Sequence, residues 1–164
     1  MSDVKKSKLT DSAGILPKDA CVVLVRTEWN ASVVDELEAG CRRKLKELGA
    51  KKIVCLAVPG AVEIPFAVKK YWDTHSGKKK ADAFIALACV IRGGTPHFDY
   101  VCKAITEGVL QLNLLLPVPT IFGVLTVDNE QQARDRLGGR HGHKGEEAAI
   151  TAAKMVGLSR SFGK

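Results

Sequence analysis

The residues best equipped for chemistry stand in four short clusters: Arg26-Thr-Glu-Trp29-Asn30, Pro59-Gly60-Ala61-Val62-Glu63, Arg92-Gly93-Gly94-Thr95-Pro96-His97 and Thr126-Val127-Asp128-Asn129. The third has the makings of an anion cradle. Glycines let backbone N–H groups converge on an oxyanion, Thr95 adds a hydroxyl, and a following helix would present its positive end. The same residues also suit a tight strand-to-helix turn with no ligand. His97 beside the cradle could move protons near neutral pH while an anion is held, or could be a surface or capping histidine. Glu63, after a Pro-Gly turn, either caps the next helix or accepts hydrogen bonds from ligand hydroxyls. Trp29 could stack on a flat heterocycle or pack in the core. Arg136 and Lys144 flank the glycine-rich Gly138-Gly-Arg-His-Gly142 and are solvated charges unless a ligand claims them. The chain has no GxxxxGK[ST], which disfavours a nucleoside triphosphatase, and no GxGxxG after its first strand, which disfavours a dinucleotide site.

Something must bring these clusters together, and the hydropathy pattern says what. Four apolar runs of strand length occur at Ala20–Val25, Ile53–Val58, Ala83–Ile91 and Thr120–Leu125. Helical spacing follows each of them. Residues 33, 34, 37, 41, 45 and 48 share one face of a helix over Ser32–Leu48, with Ser32 and Asp35 as an N-cap pair and Gly49 as the stop. A short helix over Val62–Trp72 carries Pro65 in its first turn. A long helix runs over Phe98–Leu116 and ends at Pro117. Two closing helices, Asn129–Leu137 and Gly145–Leu158, are split by the glycine-rich link. Strands apolar throughout, each followed by a helix, predict a three-layer α/β/α sandwich on a four-stranded parallel sheet, flavodoxin-like in class. Ligands of such sheets bind beyond the carboxyl ends of the strands. All four chemical clusters fall at that rim.

Length and composition fit this reading. The chain has 164 residues, 46% hydrophobic and 26% charged, enough apolar content for one core. Residues 1–18 are polar and charged, without the apolar core of a signal peptide, and read as a flexible arm before a single domain at 19–164. No apolar stretch approaches the roughly 20 residues of a membrane span, so the expected location is cytoplasmic, with no membrane partner. The net charge of +7 favours anionic partners. Arg42, Arg43, Lys44 and Lys46 have no interleaved aromatics, so a nucleic-acid footprint is not expected. Cys21, Cys41, Cys55, Cys89 and Cys102 lack CxxC spacing and read as buried, reduced, small hydrophobes. His75, His97, His141 and His143 form no zinc pattern, and no metal is expected.

Together, Val58-Pro-Gly-Ala-Val-Glu-Ile-Pro65, Val90-Ile-Arg-Gly-Gly-Thr-Pro-His-Phe-Asp-Tyr-Val101, Phe122-Gly-Val-Leu-Thr126 and Arg136…Lys144-Gly145-x-Glu147-Ala-Ala resemble the 6,7-dimethyl-8-ribityllumazine synthases of riboflavin biosynthesis, over about residues 20 to 160. The resemblance implies condensation of 5-amino-6-(D-ribitylamino)uracil with 3,4-dihydroxy-2-butanone 4-phosphate, releasing phosphate and water, with no metal and no organic cofactor. It places Trp29, followed by Asn30, against the pyrimidinedione, and Ala61, Val62 and Glu63 along the ribityl chain. Val90 and Ile91 would present backbone groups to the heterocycle, and Gly94, Thr95 and Arg136 would hold the phosphate. Arg136 and Phe122 would come from an adjacent subunit. His97 would be the principal proton-transfer residue and Lys144 a nearby cation. The resemblance further implies pentamers, a sixty-subunit shell favoured by the short Gly138–Gly145 link, and riboflavin synthase as a partner. Leu112, Leu115 and Leu116 on the long helix are candidates for the five-fold contact. Departures from the family pattern are Trp29 for the commoner Phe, Pro96 for a polar residue and His143 for Asn. A flavin carrier would need no phosphate cradle, and a flavodoxin-type redox domain would need a glycine-rich loop after the first strand, which this chain lacks.

Overall fold

Runs that are apolar at every position can satisfy their backbone and bury both faces only inside a sheet covered on two sides. The computed structural model describes residues 16–77 and 80–163. β1 (Cys21–Thr27), β2 (Lys52–Val58), β3 (Ala83–Ile91) and β4 (Thr120–Val127) form one sheet in the order β2-β1-β3-β4, parallel throughout. Alternate residues of each strand serve opposite layers. Val22 and Leu24 face α1 (Ala31–Glu47) and α5 (Lys144–Ser161), packing with Leu37, Cys41, Ala149 and Ala153. Val23 and Val25 face α2 (Ile64–Thr74) and α3 (His97–Leu115), packing with Ile64, Val68, Ile105 and Val109. The result is the three-layer, flavodoxin-like α/β sandwich, with strand order reversing between β1 and β3.

The flexible arm expected over residues 1–18 lies mostly outside the described residues. Leu16 is described: it is buried at 1% exposure, and its N–H donates to the Leu48 carbonyl at 2.7 Å.

Local departures from the sequence pattern have specific causes. The first helix begins at Ala31, and its N-cap is Asn30 rather than Ser32. Asn30 adopts φ 57, a left-handed backbone that asparagine tolerates and β-branched residues do not. Before α2 a turn of 3-10 helix occupies Ala61–Glu63, so the α-helix starts two residues later than the apolar spacing suggests. The helix expected over Asn129–Leu137 stops early: α4 covers only Glu130–Arg134. The glycine-rich link is instead a hairpin of β5 (Leu137–Gly139) and β6 (Gly142–His143). Gly138 and Gly142, at φ 96 and 78, supply the reversal. Leu137 kept the helical period alive because it packs against the core from the hairpin.

Candidate active site

The carboxyl ends of β1, β2, β3 and β4 bring four loops to one rim, and backbone bonds stitch them together. Glu28 N–H donates to the Val58 carbonyl at 2.9 Å and Trp29 N–H to the Pro59 carbonyl at 3.2 Å, tying the first loop to the second. Asn30 Nδ2 donates to the Cys89 carbonyl at 2.8 Å, tying it to the third strand across the point where strand order reverses. The Asn30 side chain therefore does not cap α1, whereas its carbonyl accepts from both Val33 and Val34 at 3.0 Å. Trp29, held between these anchors, is 71% exposed and is not a core residue.

Glu63 closes the second loop. Its Oε2 accepts the Gly60 N–H at 2.9 Å, capping the 3-10 turn that Glu63 itself ends, while α2 after it has no side-chain cap. Ala61 beside it is buried and Val62 is half-exposed. Val90 and Ile91 end β3 opposite Thr126 and Val127, half-buried, with side chains on opposite faces of the sheet. Gly93, Gly94, Thr95, Pro96 and His97 are all exposed, and His97 is the first residue of α3. A Cβ at Gly93 or Gly94 would meet no heavy atom within 4 Å, so the loop offers unobstructed backbone to an incoming group.

Arg92, the residue opening that loop, faces the protein and not the open side of the loop. Its N–H extends the sheet by donating to the Val127 carbonyl at 2.8 Å. Its Nε donates to Asp128 Oδ1 at 2.9 Å and its Nη1 to Asp99 Oδ1 at 3.3 Å. The guanidinium carbon lies 4.2 Å from the centre of the Phe98 ring. Hydrogen bonding from Arg92 holds the Asp128 carboxyl below its ordinary value. Sequence reasoning placed Arg92 in the anion cradle and missed Asp99 and Asp128 as its partners, because neither spacing nor residue type reveals a bond across 36 positions.

Phe122, Arg136 and Lys144 do not join this rim group in the same way. Phe122 stands five residues before Val127 on β4, about 16 Å along a strand, and packs toward α2 and α3. Arg136 binds within its own hairpin region: its guanidinium donates to the His141 carbonyl and, at 3.0 Å, to Glu147 Oε2. Lys144 begins α5, with its N–H donating to the Arg136 carbonyl at 2.8 Å. His143 fills the space beside Gly40 of α1, its Nδ1 accepting from Gly145 N–H at 3.1 Å, and burial lowers its pKa.

Two expectations need correction or refinement. Leu112 and Leu116 are buried within the chain, at 4% and 8% exposure, so they are not available to a neighbour. The exposed stripe of α3 is Leu110, Leu114 and Leu115, at 56%, 73% and 67%. Of the cysteines, Cys21, Cys41 and Cys89 are buried, while Cys55 and Cys102 are half-buried. Burial pushes Cys41 up to about 12 and Cys89 up to about 11, far from thiolate chemistry. The basic residues of α1 are largely paired: Arg42 with Glu38, Arg43 with Glu146 and Lys44 with Glu47. Among the described residues no group of three metal-ligating side chains gathers, and no helix is long and apolar enough to cross a membrane.

Clefts of about 430 and 620 Å³ lie away from the rim, the first between α1 and the hairpin, the second beside Trp72 and Arg160. Neither cleft is lined by Trp29, Glu63, His97 or the Gly93–Thr95 loop, which stand at the strand ends instead.

The family model described as 6,7-dimethyl-8-ribityllumazine synthase matches residues 19–160. A protein of that name from Parabacteroides distasonis is 48% identical over 138 residues, covering 83% of this chain and 84% of the relative. One from Cytophaga hutchinsonii is 42% identical over 160 residues, covering 95% and 98%. One from Kineococcus radiotolerans is 45% identical over 137 residues, covering 82% of each.

Proposed function

The chain belongs to the 6,7-dimethyl-8-ribityllumazine synthase family, a family of transferases, and on that premise we propose that its rim condenses 5-amino-6-(D-ribitylamino)uracil with 3,4-dihydroxy-2-butanone 4-phosphate. The observation that supports this reading is that Trp29, Glu63, the Gly93-Gly94-Thr95 loop and His97 all follow the carboxyl ends of neighbouring strands β1, β2 and β3. Trp29 stacks on the pyrimidinedione, with Asn30 fixing the turn that carries it. Val90 and Ile91 offer their backbone groups to the heterocycle. Ala61, Val62 and Glu63 follow the ribityl chain. Gly94 and Thr95 cradle the phosphate at the start of α3, where the helix dipole favours negative charge.

The reaction suits such sparse machinery, because the two substrates are reactive once held together and positioning supplies much of the acceleration. The amine attacks the ketone to give an imine, phosphate departs by β-elimination, and the ring closes. His97 transfers protons to and from the intermediates. Cationic support for the departing phosphate comes from Arg136, and Phe122 and Lys144 complete the pocket. Phe122 and Arg136 act on the rim of an adjacent copy, a division supported by their separate placement in the single chain and by the openness of a rim whose Trp29 is 71% exposed. The family resemblance supports assembly as a pentamer, and together with the short hairpin link it supports a sixty-subunit shell built from it. Riboflavin synthase is the partner that would consume the product, in the cytoplasm. The direct test is to mix the purified protein with both substrates and follow lumazine absorbance against the spontaneous reaction. Enzyme-dependent product is expected; a folded oligomer giving no acceleration would overturn the assignment.

A further inference from the structure

The β3–α3 loop poses a positioning problem. A Cβ added to Gly93 or Gly94 would meet no heavy atom within 4 Å, the residues from Gly93 to His97 are exposed, and no side chain caps α3. Core packing fixes α3 further along, at Val101, Ile105 and Val109, but gives the loop itself little to set its place. Among the described residues, one side chain bridges the elements on either side of it. Arg92 leaves the end of β3, reaches Asp128 beyond the end of β4, and holds both Asp99 and the Phe98 ring in the first turn of α3. Asp128 is itself fastened, its N–H donating to Gln132 Oε1 of α4 at 2.8 Å.

We propose that Arg92 is a positioning residue, clamping the start of α3 to the end of β4 so that the Gly93-Gly94-Thr95 loop and His97 keep a fixed relation, and that it is not a ligand of the phosphate. The role rests on the lumazine-forming reading given above. Its guanidinium charge is already met by two carboxylates at 2.9 and 3.3 Å, leaving little to offer an anion. A flat fork that hydrogen-bonds on its edge and stacks on a ring with its face is a task for arginine, and lysine cannot reproduce it. With its side chain 45% exposed, the clamp contributes little to global stability. Its consequence is geometric, and misplacement of reacting groups by about 1 Å can cost up to about a hundredfold in rate.

The test compares wild-type protein with Arg92→Gln and Asp128→Ala, each also made in a His97→Ala background, by steady-state kinetics and urea unfolding. Both single variants are expected to unfold at nearly the wild-type midpoint. Both should lose about tenfold in kcat/KM for the phosphorylated ketone, with KM for the ribitylaminouracil within about twofold. The double variant Arg92→Gln/Asp128→Ala should be little worse than either single one, since both break the same clamp. The kcat component of the loss should shrink in the His97→Ala background. A phosphate-binding Arg92 gives the opposite pattern for Asp128→Ala, which would release the guanidinium from one carboxylate and leave KM for the phosphorylated ketone unchanged or lower; that result overturns the proposal. Wild-type kinetics in both single variants overturn it as well. Should Arg92→Gln fail to fold, Asp128→Ala at an exposed site still decides. Absence of product from the wild-type protein would instead strike the reading of the reaction and is recognised separately.

Discussion

Gly40→Ala offers a sharp test of how the hairpin is held against α1. Gly40 is buried in the middle of that helix, where exchange for alanine would ordinarily stabilise by about 1 kcal/mol. Here the added Cβ would stand 2.1, 2.4 and 2.6 Å from three atoms of the His143 ring. The ring cannot swing aside without surrendering the bond from Gly145 N–H to its Nδ1 at 3.1 Å. Overpacking of this kind costs about 1–3 kcal/mol, so the net effect lies between about zero and a loss of about 2 kcal/mol. His143→Asn removes the ring while keeping a side-chain oxygen that can cap α5. In that background Gly40→Ala should become stabilising, a swing of about 1–3 kcal/mol between the two contexts. Urea unfolding of all four proteins at one fixed protein concentration measures the swing, since assembly adds to stability by mass action. Equal shifts in both backgrounds would refute the packing argument.

Other outcomes follow from the same contacts. Burial lowers the His143 pKa, so its stabilising contribution is complete above the unfolded value of about 6.5 and is lost as pH falls through the folded value. The wild-type urea midpoint should therefore decline from pH 7 to pH 5 more steeply than that of His143→Asn, and parallel curves would contradict the assignment. Asn30→Ala should cost about 2 kcal/mol, from left-handed strain and the lost bond to Cys89, whereas Asn30→Gly recovers about half of that; calorimetry showing no difference between them would remove the strain component. Trp29→Leu should leave the unfolding midpoint nearly unchanged while raising KM for the ribitylaminouracil about tenfold, by analogy with base stacking. Leu114→Glu, in the exposed stripe of α3, should shrink the assembly seen by light scattering, and an unaltered mass would move the subunit contact elsewhere.

The apolar runs disclosed the fold because a strand covered on both faces leaves no polar alternation to misread, and each run became a strand within a residue or two. The closing segment was harder. Ala133 and Leu137 both reach the core four residues apart, which imitates a helix, and only the left-handed backbone of Gly138 and Gly142 separates a hairpin from a helix there. The cap of α1 was misplaced because Asn30 uses its side chain on Cys89 instead of the helix. The rim clusters were visible as a set, since strand ends are points that topology fixes in advance. Their internal wiring was not, because Arg92 and Asp128 are far apart in the chain and ordinary in type.

The division of labour proposed for the rim has a mechanical rationale in the fold. Trp29 and Glu63 sit on turns that hydrogen bonds tie to one another and to β3, and Arg92 ties the β3–α3 loop to the end of β4, so these loops are held to the sheet. Arg136 belongs to a hairpin braced by Glu147 and leaning on α1 through His143 and Gly40, a second piece with its own supports. A reaction that needs both pieces gains its geometry from how they are brought face to face. Substitutions inside either piece should then act on kcat through local position, whereas substitutions in the exposed α3 stripe should act on rate only through assembly. Rates that follow protein concentration in Leu114→Glu, but not in Arg92→Gln, are the signature that separates the two.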